Sequence, residues 1–123
     1  MYTAYVNADE YNALGYNAIE SADLTYYLTM ASRNVDTLTF NRIKRDKLTD
    51  FQRDIIQTVV CEQAEFLYEN KDAISSILQG YSINSVSMQF GTGFNVTVES
   101  GVPVQNNVYA LLKQTGLCWR GAV

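Results

Sequence analysis

Residues 49–70 read TDFQRDIIQTVVCEQAEFLYEN, and their pattern decides the fold. Phe51, Ile55, Val59 and Phe66 recur along one stripe, with Ile56, Val60 and Leu67 beside it. That is the 3.6-residue period of a helix that buries one face. Thr49 stands where an N-cap belongs, and Gln52 three residues on completes a capping box. The spacing predicts a long helix to about Asn70. Two continuations stay open: an unbroken helix, or a break at Asn70 with Asp72 capping a shorter helix through Ile74, Ile77 and Leu78 to Gly80. Cys61 lies inside the pattern and reads as a small core residue.

Upstream, Leu24, Tyr27, Leu28, Ala31, Val35 and Leu38 recur at the same period and predict a second apolar helix face. Glu20 and Asp23 sit near its start, where negative charge suits the helix dipole. Thr37, Thr39 and Phe40 mark its end. Residues 1–19 are rich in tyrosine, with Asn7 and Glu10 spaced as the capping box of a short helix ending near Gly15.

Downstream of Gly80 the period changes to two. Val86, Met88 and Phe90 alternate with serine and glutamine; Phe94, Val96 and Val98 alternate with polar residues. Gly91-Thr92-Gly93 separates the runs, which predicts a β-hairpin over residues 84–100. Gly101 and Pro103 are expected to end it. Asn106 or Asn107 then caps a last helix through Val108, Leu111 and Leu112 to Gly116. An isolated hairpin is marginal in water, so it needs helices or neighbouring subunits to pack on. The expected fold is mainly α: one domain over 1–123, a small antiparallel helical bundle (1–80), an inserted hairpin (84–100), and a C-terminal helix with an extended tail (104–123).

The composition suits a folded chain. Hydrophobic residues make up 47% and charged residues 18% of 123. A net charge of −4 argues against a protein that coats DNA. The absence of histidine removes the commonest general base and the commonest metal ligand. Two cysteines, Cys61 and Cys118, are too few and too far apart for a disulfide framework or a zinc site. The start Met1-Tyr2-Thr3-Ala4-Tyr5 lacks a signal-peptide pattern, and no apolar run would span a bilayer. A soluble chain made in a cytoplasm is expected, so Asn95-Val96-Thr97 is not expected to act as a glycosylation acceptor.

Few residues suggest chemistry. Glu62, Glu65 and Glu69 share a helical face; they read as a solvated face, since the di-metal bundles use Glu-x-x-His and no histidine is present. Gly91-Thr92-Gly93 resembles a phosphate loop only loosely, because no Lys-Ser/Thr pair follows and no helix starts there. Arg42, Lys44, Arg45 and Lys47 form a basic connector that could meet a nucleic acid or an acidic protein surface. Asp36, Asp46, Asp50 and Asp54 neutralise much of it, which favours a solvated connector. Cys118 lacks a base to activate it. No cofactor and no catalytic set are expected. The last residues, Leu117-Cys118-Trp119-Arg120-Gly121-Ala122-Val123, form a largely apolar tail behind the helix stop at Gly116. Trp and Arg are the residues of binding anchors, so the tail is expected to dock on a partner.

Three stretches carry a resemblance to the small head–tail connector proteins of long-tailed bacteriophages, also called adaptor or head-completion proteins. Tyr2-Thr3 with Tyr11-Asn12-Ala13-Leu14-Gly15 resembles their opening. Ala31-Ser32-Arg33-Asn34-Val35-Asp36-Thr37-Leu38-Thr39 with Arg42-Ile43, then Thr49-Asp50-Phe51-Gln52, resembles their second-helix signature and the next helix start. Leu111-Leu112 with Thr115-Gly116-Leu117-Cys118-Trp119-Arg120-Gly121 resembles their closing motif. The family more often has an aliphatic residue at Cys118, Tyr at Trp119 and Ile at Val35. The resemblance implies a structural, non-enzymatic virion protein assembled in a bacterial cytoplasm. About twelve copies would form a ring under the portal and extend the DNA channel, with DNA passing through unbound. A stopper or tail-completion protein would follow below. It also implies that Leu117, Trp119, Arg120 and Gly121 dock on the portal or an adjacent subunit, and that Val86, Met88, Phe90, Phe94, Val96 and Val98 meet a neighbour. The alternative is a small cytoplasmic helical interaction module or regulator unrelated to virions.

Overall fold

The chain folds around its third helix. In the structure, a computed structural model, residues 2–72, 88–90, 94–99 and 101–118 are described, with the backbone alone for residues 88–90, 94 and 95. The elements run α1 (Ala8–Ala13), α2 (Ser21–Leu38), a 3₁₀ turn (Arg45–Lys47), α3 (Asp50–Glu69), β1 (Met88–Phe90), β2 (Phe94–Glu99), β3 (Val102–Gln105) and α4 (Asn106–Lys113). The predicted helix over residues 72–80, Val86, the loop at 91–93, and Trp119, Arg120 and Gly121 lie outside the described residues. The protein is mainly helical with an antiparallel hairpin.

Both capping boxes form. Asn7 and Glu10 exchange bonds at α1, and Thr49 and Gln52 do so at α3. Asn70 leaves helical geometry at φ −121° and donates its N–H to the Phe66 carbonyl, so α3 breaks there. The predicted face of α2 is inside: Leu24, Leu28, Ala31, Val35 and Leu38 are buried, and Tyr27 packs beside them. On α3, Ile55, Ile56, Val59, Val60, Cys61, Ala64 and Phe66 are buried, each large aliphatic contributing roughly 1.5–3 kcal/mol. Phe51 departs from the expected stripe. It precedes the buried stretch and is 59% exposed.

Cross-contacts fix the directions. Asn34 meets Gln63 (3.0 Å) and the Tyr27 ring meets Tyr68 (5.4 Å), so α2 runs antiparallel to α3. Gln63 reaches the Pro103 carbonyl (2.9 Å) and Gln52 reaches the Thr115 carbonyl (3.0 Å), so β3 and α4 run antiparallel to α3 as well.

The hairpin pairs Phe90 with Phe94 and Met88 with Val96. It does not end at Gly101. Glu99 pairs with Val102 and Val98 with Pro103, which makes β3 a third strand. Gly101 sits at φ +83°, a conformation glycine adopts freely, and turns the chain back on β2. Pro103 is tolerated because β3 lies at the edge of the order β1-β2-β3. The last helix starts at Asn106, with Gln105 in the capping position. Asn106 does not cap it; its side chain accepts the Thr97 hydroxyl. No helix among the described residues is long and apolar enough to cross a membrane.

Candidate functional site

The N-terminal tyrosines engage three helix carboxylates, Asp36, Glu62 and Glu65. Tyr11 donates its hydroxyl to Glu65 (2.7 Å) and Tyr16 donates to Glu62 (3.0 Å). Glu65 also accepts the Ala18 N–H at 3.2 Å, and the Tyr11 oxygen accepts the Ile19 N–H at 3.2 Å. The two rings stack with centroids 5.7 Å apart. Burial pushes the Tyr11 phenol up to about 12, with its bond to Glu65 adding to the rise. Burial and the bond to Glu62 raise Tyr16 in the same way. The solvated-face reading of Glu62, Glu65 and Glu69 therefore holds only for Glu69, which is exposed. The other two are half-buried anchors for residues 11–19. Among the described residues no three acidic or cysteine side chains form a metal-holding group.

A second latch sits on the C-terminal half of α2. Tyr2 donates to one Asp36 oxygen (2.7 Å) and Tyr5 donates to the other. The Tyr5 N–H donates to the Ser32 hydroxyl oxygen at 3.0 Å. Arg45 closes the latch from the other side. Its guanidinium lies 4.0 Å from the Tyr5 ring centre and donates to the Thr3 and Ala4 carbonyls. Arg33 covers the Tyr2 ring at 4.3 Å. Burial, then the bonds to Asp36, raise both phenols well above the ordinary tyrosine value. Arg45 is exposed, as Lys44 and Lys47 are, and clamps the arm from the surface.

The turn beside this latch is strained. The Asn41 N–H bonds to the Asp36 carbonyl and the Phe40 N–H to the Thr37 carbonyl, the pattern of a Schellman motif. Phe40 and Asn41 both hold φ +57°, in the left-handed region that costs a side chain of this size energy.

The closing segment is seated up to Cys118. Thr115 is buried; its carbonyl accepts from Gln52, and its hydroxyl oxygen accepts the Leu117 N–H at 3.1 Å. Gly116, at φ +78°, turns the chain out of α4. Leu117 and Cys118 pack against the core as half-buried residues. Burial pushes the Cys118 thiol up to about 11, with Lys113 pulling it partly back, and burial pushes Cys61 up to about 12. Neither thiol is activated as a nucleophile.

Val96 and Val98 are buried within the chain itself. The structure joins the opening tyrosines to the end of α2, and separately joins the start of α3 to Thr115. Arg45 and the Gln52–Thr115 bond are the links. Sequence reasoning missed Gln63, which is 1% exposed and ties α2 to β3 through Asn34 and Pro103, its own carbonyl oxygen having no partner among the described residues. It also missed Asp36 and Arg45 as holders of the N-terminal arm. No protein-family model, no curated protein and no solved structure matches the chain.

Proposed function

We propose that this chain is a structural virion protein of the head–tail connector kind, without enzymatic activity. Its copies form a ring beneath the portal, join the head to the tail or stopper, and extend the channel through which DNA passes. The observation that carries the reading is the ordered resemblance of the three stretches, together with their contacts in pairs. The opening tyrosines lie on Asp36, and the Thr49–Gln52 cap lies on Thr115. A shared scaffold of this kind is what residues serving one assembly end require. No histidine is present and both thiols are raised, so neither Cys61 nor Cys118 belongs to an activated thiol–imidazole pair. In this reading Trp119, Arg120 and Gly121 dock on the portal or on an adjacent copy, while Leu117 stays on its own core.

Truncation after Cys118 tests it, since Thr115 and Leu117 keep their bonds. The shortened chain is expected to retain its helical circular dichroism and to lose attachment when mixed with the portal encoded beside it, as seen by negative-stain imaging. If full-length protein forms no ring on that portal, the reading fails. If the truncated chain still attaches normally, the docking role of the tail fails.

A further inference from the structure

Residues 2–6 are held as a bound peptide is held. They form neither helix nor strand, and among the described residues no hydrogen bond links them to one another. Their polar groups are met by the body of the chain instead. Asp36 takes the Tyr2 and Tyr5 hydroxyls, one on each oxygen, and no ion pair among the described residues competes for it. Ser32 is fully buried and gives its own proton to the Leu28 carbonyl at 2.8 Å, which leaves its oxygen to accept the Tyr5 N–H. Arg45 reads the Thr3 and Ala4 carbonyls, whatever side chains those residues carry. The arm is not packed flush. A space of about 640 Å³ opens beside Tyr2, Tyr5, Asp36 and Arg45, and another of about 240 Å³ is lined by Tyr2 and Val6 with Thr25, Leu28 and Thr29 of α2. Of the arm residues only Val6 is fully buried; Thr3 is exposed, and Tyr2, Ala4 and Tyr5 are half-buried.

We infer that Ser32, Asp36 and Arg45 form a recognition site for an extended Tyr-x-x-Tyr segment, and that the arm of a second copy of this chain takes the seat in trans. The occupant follows from the seat. The segment it fits is residues 2–6, and a second copy carries the same segment. Exchange keeps every bond, since each one joins arm to body. The pivot is Asn7, extended at φ −97° and ψ 176° outside α1, while the Tyr11 bond to Glu65 holds that helix in place. Five residues reach at most about 17 Å, so exchanging copies stand side by side. An arm tethered to its own seat has an effective concentration near the millimolar range, so a dilute monomer stays closed and crowded copies exchange. An arm passed from each copy to the next repeats in one direction and closes into a ring where the rotation permits. The connector reading supplies only that closure; the site and the exchange stand without it.

Nuclear magnetic resonance titration of the full chain tests both. In Tyr2→Ala/Tyr5→Ala the arm is disabled and the seat is intact. An acetylated peptide of residues 2–6 is expected to bind this variant with a dissociation constant of about 1 mM or tighter, shifting the amides of Ser32, Asp36 and Arg45. Replacing both peptide tyrosines by phenylalanine should weaken binding about tenfold or more, and adding Asp36→Leu to the chain should abolish it. The wild type, with its seat filled, should bind the peptide about tenfold more weakly. Unlabelled Asp36→Leu chain, which has an arm and no seat, should reproduce the peptide's shifts on the labelled Tyr2→Ala/Tyr5→Ala chain. Where the double variant loses its helical circular dichroism, Tyr5→Ala alone takes its place. No shift at about 5 mM peptide, or equal binding of the phenylalanine peptide, overturns the site. If the peptide binds and the Asp36→Leu chain does not, the second copy as occupant is overturned. Either failure leaves portal attachment by the tail standing, and failure of portal attachment leaves the site standing.

Discussion

Helix α3 is gripped on two sides by different chemistry. Residues 2–19 hold it and its partner α2 through phenols on carboxylates: Tyr2 and Tyr5 on Asp36, Tyr11 on Glu65, Tyr16 on Glu62. The segment Val102–Leu112 holds it through aliphatic burial, with Val102, Val104, Val108 and Leu112 all in the core. Two glutamines, Gln52 and Gln63, are the polar keys on that side. Aliphatic burial supplies stability without direction. Phenol–carboxylate bonds add a similar amount each, roughly 1.5–3 kcal/mol for a charged acceptor, but they permit one seat only. The N-terminal arm is therefore placed by hydrogen bonds and the C-terminal segment by packing.

Alkali separates the two sides most strongly. Tyr2, Tyr5, Tyr11 and Tyr16 all have folded-state values raised above the ordinary 10, and Cys61 is raised to about 12. A raised acid contributes its stability fully below the unfolded value and loses it as pH climbs toward the folded value. Each phenol then costs at most about 1.4 kcal/mol per pH unit above 10. Their joint ionisation is expected to release the arm from α2 and α3. Between pH 10 and 12 the tyrosinate absorbance near 295 nm is expected to rise cooperatively with loss of amide protection in residues 2–19. The 102–112 segment carries a single raised phenol, Tyr109, and should hold protection to higher pH. Phenols that ionise smoothly at their ordinary value, with the arm still protected, would sink the latch.

The same contrast appears in substitution. Leu112 is fully buried, so Leu112→Ala should cost about 2–5 kcal/mol in urea unfolding. Tyr5→Phe removes one hydroxyl and keeps the ring under Arg45; its cost should be about 1–2 kcal/mol. A Tyr5→Phe cost near zero would show that the arm is packed rather than latched.

The local chemistry of helices was legible because it repeats at short range. Asn7 with Glu10 and Thr49 with Gln52 mark two helix starts three residues at a time, and the stripe of α2 needs only its own period. The latch was not legible. Its partners lie 31, 34, 46 and 54 residues apart, and nothing in the spacing of Tyr16 points to Glu62. Strand β3 was hidden for another reason: four residues with a proline read as a terminator. Only the register on β2, and the Gln63 bond to the Pro103 carbonyl, make it a strand. Of the expected site residues, Leu117 belongs partly to the core; Glu62 and Glu65, expected on a solvated face, serve the arm.

The smallest effect sharpens where the two sides are joined. Asp36 works twice: its carboxylate receives Tyr2 and Tyr5, and its carbonyl receives the Asn41 N–H that closes α2. Phe40 occupies the left-handed position of that closure, where glycine is usual. The Phe40 ring also contacts Arg42, at 5.5 Å from its centre, so removing the ring has a cost of its own. Comparing two replacements cancels that cost. Phe40→Ala loses the ring and keeps a Cβ in the left-handed region; Phe40→Gly loses both. The glycine variant should be more stable than the alanine variant by about 1 kcal/mol in thermal unfolding, although glycine is normally the worse choice. If alanine proves equal or better, the turn carries no strain, and Asp36 holds the arm without a tensioned helix end behind it.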